Sequence, residues 1–339
     1  ADCYDGTAPL DGILDSAERN IFDVVKSGNN KEFVPISQVV INALERIEEA
    51  SKIKGNVTGL STGFKDLDNM TAGFQPSDFI LVAARPSMGK TAMALSMMQH
   101  IAIDNQVPTG FFSLEMSVNQ IMQRLLCQVA RLPGGKLRKG MMTVDDFKKL
   151  QESAGRCYSA PLYIVDTPNM KLLDLRAMAR RMKANYDVKI IFIDYIGLIT
   201  SEHSDAPVYE QIAEISKSLK ALARELSIPL VVLCQVARSA EGQEPNLSEL
   251  RGSGSIEQDA DVVMFIHRER VKTEEENPVL DAKLIVAKQR NGPIGDVELL
   301  FIPSYTKFEN KEKKALASQQ PNSVPYNQGQ GDESEGYAQ

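Results

Sequence analysis

From Thr58 onward, short apolar runs recur along the chain, with helical patterns between most of the early ones. This alternation limits the fold more than any other feature. The runs are "DFILVAA", "GFFSL", "PLYIVD", "KIIFID", "PLVVLCQ", "DVVMFI", "KLIVAK" and "VELLFI". Near-continuous apolar strands joined by crossover helices belong to α/β folds with a mostly parallel sheet buried on both faces. The late runs lie closer together, which predicts antiparallel strands at one edge. Two helix starts are marked by capping boxes, Ser117 with Gln120 and Thr143 with Asp146. Ile212, Ile215, Leu219, Leu222 and Leu226, spaced by threes and fours, predict an amphipathic helix near 208–226.

Two further helices precede this region, within residues 1–57. Ile13, Leu14, Ala17, Ile21, Val24 and Val25 form one stripe, expected on a helix over about 13–27 and stopped by Gly28, Asn29 and Asn30. Ile36, Val40, Ala43, Leu44 and Ile47 form another, over about 36–54. Both stripes suit helices that cover the following domain, and the first equally suits docking on a neighbouring subunit. After about Asn310 the large apolar residues run out. Residues 311–339, rich in Gln, Ser, Gly and Pro, are expected to be disordered. The chain thus divides into linker helices at 1–57, one α/β domain at 58–310 and a tail.

Composition narrows the chemistry. Four scattered cysteines form no C-x-x-C pair, and three histidines stand apart. A disulfide framework, a zinc site and a histidine-metal enzyme are therefore not expected, and a reducing compartment fits. No apolar run approaches the ~20 residues that span a bilayer, and "ADCYDG" carries no export signature. A formal charge of −7 argues against coating nucleic acid over the whole surface, though a basic channel on one face remains compatible.

The stretch "FILVAARPSMGKTAMALSMM" moves from a strand through a tight loop into a helix. Backbone N–H groups in such a loop join the positive end of the helix dipole and cradle anions. The loop residues Ala84, Arg85, Pro86, Ser87, Met88, Gly89, Lys90, Thr91 and Ala92 are the candidate nucleotide contacts. Lys90 is placed to reach the β- and γ-phosphates, and the Thr91 hydroxyl to ligate Mg²⁺. Ala84 stands where the usual pattern begins with Gly, a position an alanine fits at negative φ.

Ligands of open parallel sheets sit beyond the carboxyl ends of the strands. Three other runs end there in polar residues: Glu115, Asp194 and Gln235. Asp194 suits a carboxylate supporting Mg²⁺, Glu115 a base for an attacking water, and Gln235 an amide sensing the γ-phosphate. Strand periodicity puts Lys288 and Arg290 of "KLIVAKQRNGP" on one face. In a ring this pair would reach the γ-phosphate held by the next subunit.

These residues, in this order, resemble the bacterial replicative helicase family of the DnaB type, built on a RecA-like P-loop ATPase core. The matching stretches are "TAGFQPSDFILVAARPSMGKT", "FFSLEMS", "IAEISKSLKALARELSIPLVV", "GSGSIEQDADVVMFI" and "KQRNGPIG". The resemblance implies linker helices followed by the motor domain of a homohexameric ring. It also implies ATP and Mg²⁺ as cofactors, 5′ to 3′ movement on single-stranded DNA, and a cytoplasmic enzyme meeting a primase and a helicase loader. By motif, Glu115 and Lys90 are catalytic, Thr91 and Asp194 support the metal, and Arg124 is a further arginine of the nucleotide site. The resemblance implies that Lys288, Gln289 and Arg290 act in trans on the neighbour's site. It likewise implies that Arg251, Gly252 and Gly254, in the loop before "SIEQDAD", grip the DNA backbone. On the residues alone two alternatives stay open, a RecA-like strand-exchange ATPase and a non-motor regulatory ATPase.

Overall fold

A computed structural model describes residues 57–202, 205–236, 244–269 and 278–312, the helix Ile36–Lys52, and residues 12, 15, 16, 18 and 19. Its strands are β1 Phe79–Ala84, β2 Thr109–Ser113, β3 Leu162–Val165, β4 Ile190–Asp194, β5 Leu230–Gln235, β6 Val262–His267, β7 Leu280–Gln289, β8 Gly295–Ile302 and β9 Lys307–Asn310. They form a single sheet in the order β3-β2-β4-β5-β1-β6-β7-β8-β9. The pairings from β3 to β6 are parallel, and those from β6 to β9 antiparallel. The eight apolar runs are the first eight strands, and the antiparallel edge lies where expected.

The continuous apolar runs follow from burial on both sides of the sheet. Along β1, Ile80, Val82 and Ala84 enter one core with the helices Lys90–Met98 and Val118–Ala130. Phe79, Leu81 and Ala83 enter the opposite core with the helices Leu172–Tyr186 and Val208–Leu226. Both capping boxes are formed, Ser117 with Gln120 and Thr143 with Asp146. Of the predicted stripe, Ile215, Leu219, Leu222 and Leu226 are buried.

The ninth strand, "KFEN", escapes sequence reading because it is a four-residue edge strand with one apolar side chain. Phe308 is that side chain, and it pairs with Phe301 of β8 at a ring separation of 4.8 Å.

The regions flanking the domain differ from the simpler expectation. Ile36, Val40, Leu44 and Ile47 are all exposed, Ile36 at 75%, so the helix Ile36–Lys52 does not cover the following domain. The apolar stripe expected over 13–27 lies outside the described residues. Beside it, Asp15 pairs with Arg180 at 2.7 Å and Arg176 at 3.5 Å of the same chain. Lys311, assigned to the tail, is ion-paired with Asp281 at 2.7 Å, and residues 313–339 lie outside the described part. Among the described residues no helix is long and apolar enough to cross a membrane.

At the amino edge of the parallel strands, Asp261 accepts the Phe79 N–H at 2.8 Å and pairs with Lys220. Burial and the neighbouring Asp261 raise Asp78 to about 6, against the Gln75 N–H and Lys220, which act the other way. An unfolded chain loses this proton near 3.8, whereas the fold keeps it to about 6. Asp78 therefore lowers stability progressively as pH rises through that window, and the penalty persists above it. Asp78→Asn should raise the melting temperature at pH 8 by about 2–4 °C, for about 1 kcal/mol after allowance for solvent screening. The gain should vanish at pH 3.5, as thermal melts across pH would read.

Candidate functional site

The parallel register brings the strand ends to one edge. Ala84 at the end of β1 lies opposite Gln235 at the end of β5, and Ser113 of β2 lies opposite Asp194 of β4. Beyond that edge opens a cavity of about 820 Å³. Its wall includes Ala84, Arg85, Pro86, Ser87, Gly89, Lys90, Thr91 and Ala92, with Glu115, Arg124 and Gln235. Of the predicted loop residues, Met88 does not line the cavity; it packs in the core, as Ala84 and Ala92 also do.

The loop is shaped by two positive-φ residues, Ser87 at 68° and Gly89 at 99°. A Cβ at Gly89 would sit 3.0 Å from the Phe308 ring, so the glycine answers both to its backbone and to β9 beneath it. Gly89 is the residue from which the helix Lys90–Met98 starts, leaving that helix's first N–H groups facing the cavity.

Behind the loop a compact polar cluster forms. The Thr91 hydroxyl donates to Asp194 Oδ2 at 2.5 Å. Lys90 Nζ lies 3.5 Å from Asp194 Oδ1, 4.0 Å from Glu115 Oε2 and 4.0 Å from the centre of the Tyr195 ring. Asp194 is 1% exposed, and its Oδ1 has no hydrogen-bond partner despite its burial. A buried carboxylate oxygen without a donor, next to a hydroxyl, is a set of hard oxygen ligands that fits Mg²⁺. Among the described residues no cluster of three or more His, Cys, Asp or Glu offers another metal site. Glu115 follows β2 by two residues and its side chain is 52% exposed, open to a water in the cavity.

Charge favours an anionic guest. Among the described residues the lining carries Arg85, Lys90, Arg124, Arg138 and Arg268 against the single carboxylate of Glu115. Sequence reasoning missed Arg138, Arg268 and Tyr305. Arg268 donates to the Ser87 carbonyl at 2.6 Å and the Met88 carbonyl at 3.2 Å, and stacks over Phe301 at 4.6 Å. It follows β6 directly, so the strand-end rule that found Glu115 and Gln235 would have found it too. Arg138 and Tyr305 come from the helix Gly134–Lys139 and the turn between β8 and β9. Only the packing of those segments brings them to the wall.

Lys288, Gln289 and Arg290 stand elsewhere. Because β7 runs antiparallel to β6, Gln289 lies opposite Val262 at the amino edge, roughly 13 Å by strand rise from the end of β1 where the phosphate loop begins. Lys288 Nζ donates to the Glu257 carbonyl, and Arg290 to the Gln258 carbonyl at 2.7 Å, which confirms their shared face. Burial, and then the Arg290 charge, lower the Lys288 pKa. Gln289 bonds the Met70 carbonyl at 3.3 Å. These three residues do not touch their own chain's cavity.

The stretch expected as a DNA loop is helical. Leu247–Ser253 forms a 3₁₀ turn running into the short helix Gly254–Asp259. The turn starts where the Asn246 side chain accepts the Ser248 N–H at 2.9 Å, a local cap that the sequence reading overlooked. Arg251, Gly252 and Gly254 lie on this segment, and the side chains of residues 251–255 are outside the described part.

Known proteins are similar to this chain in sequence and in fold. The DnaB-like helicase C terminal domain matches residues 59–310. The chain is 50% identical over 308 residues to the replicative DNA helicase DnaB of Treponema pallidum (strain Nichols), covering 91% of this chain and 69% of that protein. To the replicative DNA helicase DnaB of Geobacillus stearothermophilus it is 41% identical over 324 residues, covering 94% and 71%. Among solved structures, an ATPase domain aligns with a TM-score of 0.76 at 33% identity, covering 83% of this chain and 100% of that one. A DnaB-like replicative helicase, described with its interactions with primase, aligns with a TM-score of 0.73 at 33% identity, covering 87% and 71%.

The loop geometry carries a direct test. Gly89→Ala forces a side chain into a positive-φ position against Phe308 and should cost about 1–3 kcal/mol of stability. The free loop relieves that strain by relaxing and nucleotide must restore it, so titration with a fluorescent ATP analogue should show binding weaker by about 5-fold or more, roughly 1.4 kcal/mol being tenfold.

Proposed function

The chain belongs to the DnaB-like helicase family as the motor part of a replicative DNA helicase, and on that premise we propose how its residues use fuel and meet DNA. The observation that carries the proposal is the convergence of Lys90, Thr91, Asp194 and Glu115 at one edge, within 2.5 to 4.0 Å of one another along the chain Thr91–Asp194–Lys90–Glu115.

ATP lies with its triphosphate on the loop N–H groups and its γ-phosphate near Lys90. Thr91 and Asp194 would hold Mg²⁺, which when bound neutralises charge on the phosphate oxygens. Glu115 orients a water toward the γ-phosphate and accepts its proton. Gln235 stands at the end of β5, exposed to the same cavity, where its amide can bond the γ-phosphate oxygen or release it. Arg268 keeps the loop in shape by holding two of its carbonyls, and Arg124 adds charge to the cavity wall.

Hydrolysis then drives a homohexameric ring 5′ to 3′ along single-stranded DNA. Lys288, Gln289 and Arg290 serve the next subunit's cavity. Support for this reading comes from their position at the amino edge, remote from their own cavity, and from two cations presented side by side. An arginine supplied to a phosphoryl-transfer site in trans is worth roughly 10³–10⁵ in rate. Arg251, Gly252 and Gly254 meet DNA phosphates, contacts that give affinity without sequence preference. Primase is the partner suggested by the structural relative described with it, and a helicase loader by the family. The family resemblance supports docking of the helix over about 13–27 on a neighbouring subunit, where Asp15 would exchange the Arg180 and Arg176 of its own chain for those of the neighbour. The strand-exchange and regulatory alternatives find no specific support, since the family match runs continuously through "SIEQDAD" and "KQRNGP".

Glu115→Gln should bind ATP with near wild-type affinity and lose about 10²–10⁴ in kcat; full turnover in a coupled phosphate-release assay would reject the assignment. Arg290→Ala should hydrolyse no ATP alone, yet regain activity when mixed with Glu115→Gln, because each supplies what the other lacks. Mixing that restores nothing would argue against a shared site. Unwinding of a forked duplex with defined overhangs reports the direction of movement.

A further inference from the structure

A charged pair joins the phosphate loop to the segment assigned to DNA. Arg85 NH2 donates to Glu249 Oε1 at 2.8 Å across 164 residues of sequence, and the two side chains are 10% and 9% exposed. Arg85 lines the nucleotide cavity. Glu249 sits two residues before Arg251 on the 3₁₀ turn Leu247–Ser253. That turn is not a loose loop. Asn246 caps its start and Leu250 is buried in the core, while the helix Gly254–Asp259 that follows buries Ile256 and accepts the Ser216 hydroxyl on Asp259 at 2.7 Å.

We propose that Glu249, through Arg85, is the positioning residue that couples the nucleotide cavity to the DNA-binding turn. The proposal rests on the reading of Arg251, Gly252 and Gly254 as DNA contacts. The physical argument has three parts. A nearly buried pair responds strongly to any competing charge, because little solvent screens it. A triphosphate entering the cavity is such a competitor, bringing several negative charges to the wall that Arg85 forms. The pair is also bonded through one carboxylate oxygen only, and Glu249 Oε2 is buried without a hydrogen-bond partner. A carboxylate held at one point, with a second acceptor unused, can shift as Arg85 is drawn toward phosphate. Glu249 then carries the turn, and with it the backbone of residues 251–253.

Such linkage is reciprocal: whatever factor nucleotide applies to DNA affinity, DNA applies to nucleotide affinity. The test uses the full chain. Fluorescein-labelled oligothymidine is titrated by anisotropy with and without a non-hydrolysable ATP analogue and Mg²⁺, and a fluorescent nucleotide is titrated with and without oligothymidine. In the wild type both factors should be equal, within about 5–150-fold. Glu249→Gln keeps the shape and removes the charge. It should bring both factors close to 1 while binding of each ligand alone stays within about threefold of wild type. Glu249→Asp keeps the charge but withdraws it by one methylene, and should give a reduced factor, which serves if the glutamine variant does not fold. A wild-type factor in either folded variant, or a wild-type chain that binds DNA with no nucleotide dependence, overturns the coupling alone. A wild-type chain that binds no oligothymidine overturns the DNA assignment together with it.

Discussion

Parallel strands buried on both faces leave a ligand one place to meet the sheet, and the site depends on that constraint. β1, β2, β4 and β5 each pair with a strand on both sides, and almost every side chain enters a core. Their carboxyl ends are where chain direction changes and polar residues can be carried without burying them unpaired. Asp194 shows how closely this is drawn. It is the last residue of β4, almost wholly buried, yet its two oxygens face Thr91 and Lys90 from the adjoining loop.

The antiparallel half of the sheet does a different job. β8 and β9 place Phe301 and Phe308 under the phosphate loop, so the loop's glycine is fixed by packing as well as by its own backbone. Arg268, at the junction between the two halves, clamps two loop carbonyls while stacking on Phe301. The antiparallel pairing of β7 with β6 puts Lys288 and Arg290 at the far edge, where they rest on carbonyls of residues 257 and 258. Both ends of the sheet thereby present charge, one around a cavity and one on an open edge. The Arg85–Glu249 pair adds a connection of another kind, inside one chain, between the fuel site and the turn leading into the helix Gly254–Asp259.

What the sequence determined by itself is the set of local rules that need only neighbours in the chain. Eight strands were legible because two-sided burial makes them continuous apolar runs, and two helix starts because a capping box closes within four residues. The strand–loop–helix of residues 79–98 announced its chemistry through residue type and order, and Glu115, Asp194 and Gln235 through their position at the ends of runs. Tertiary structure decided the rest. β9 carries too little apolar surface to signal itself, and exists because β8 offers an unpaired edge and a partner for Phe308. Arg138 and Tyr305 reach the cavity only through packing of distant segments, and Arg85 finds Glu249 across 164 residues for the same reason. The separation of Lys288 and Arg290 from their own cavity follows from strand direction, which pairing settles and composition does not. Local chemistry sets which residues can act. Long-range packing sets which of them meet.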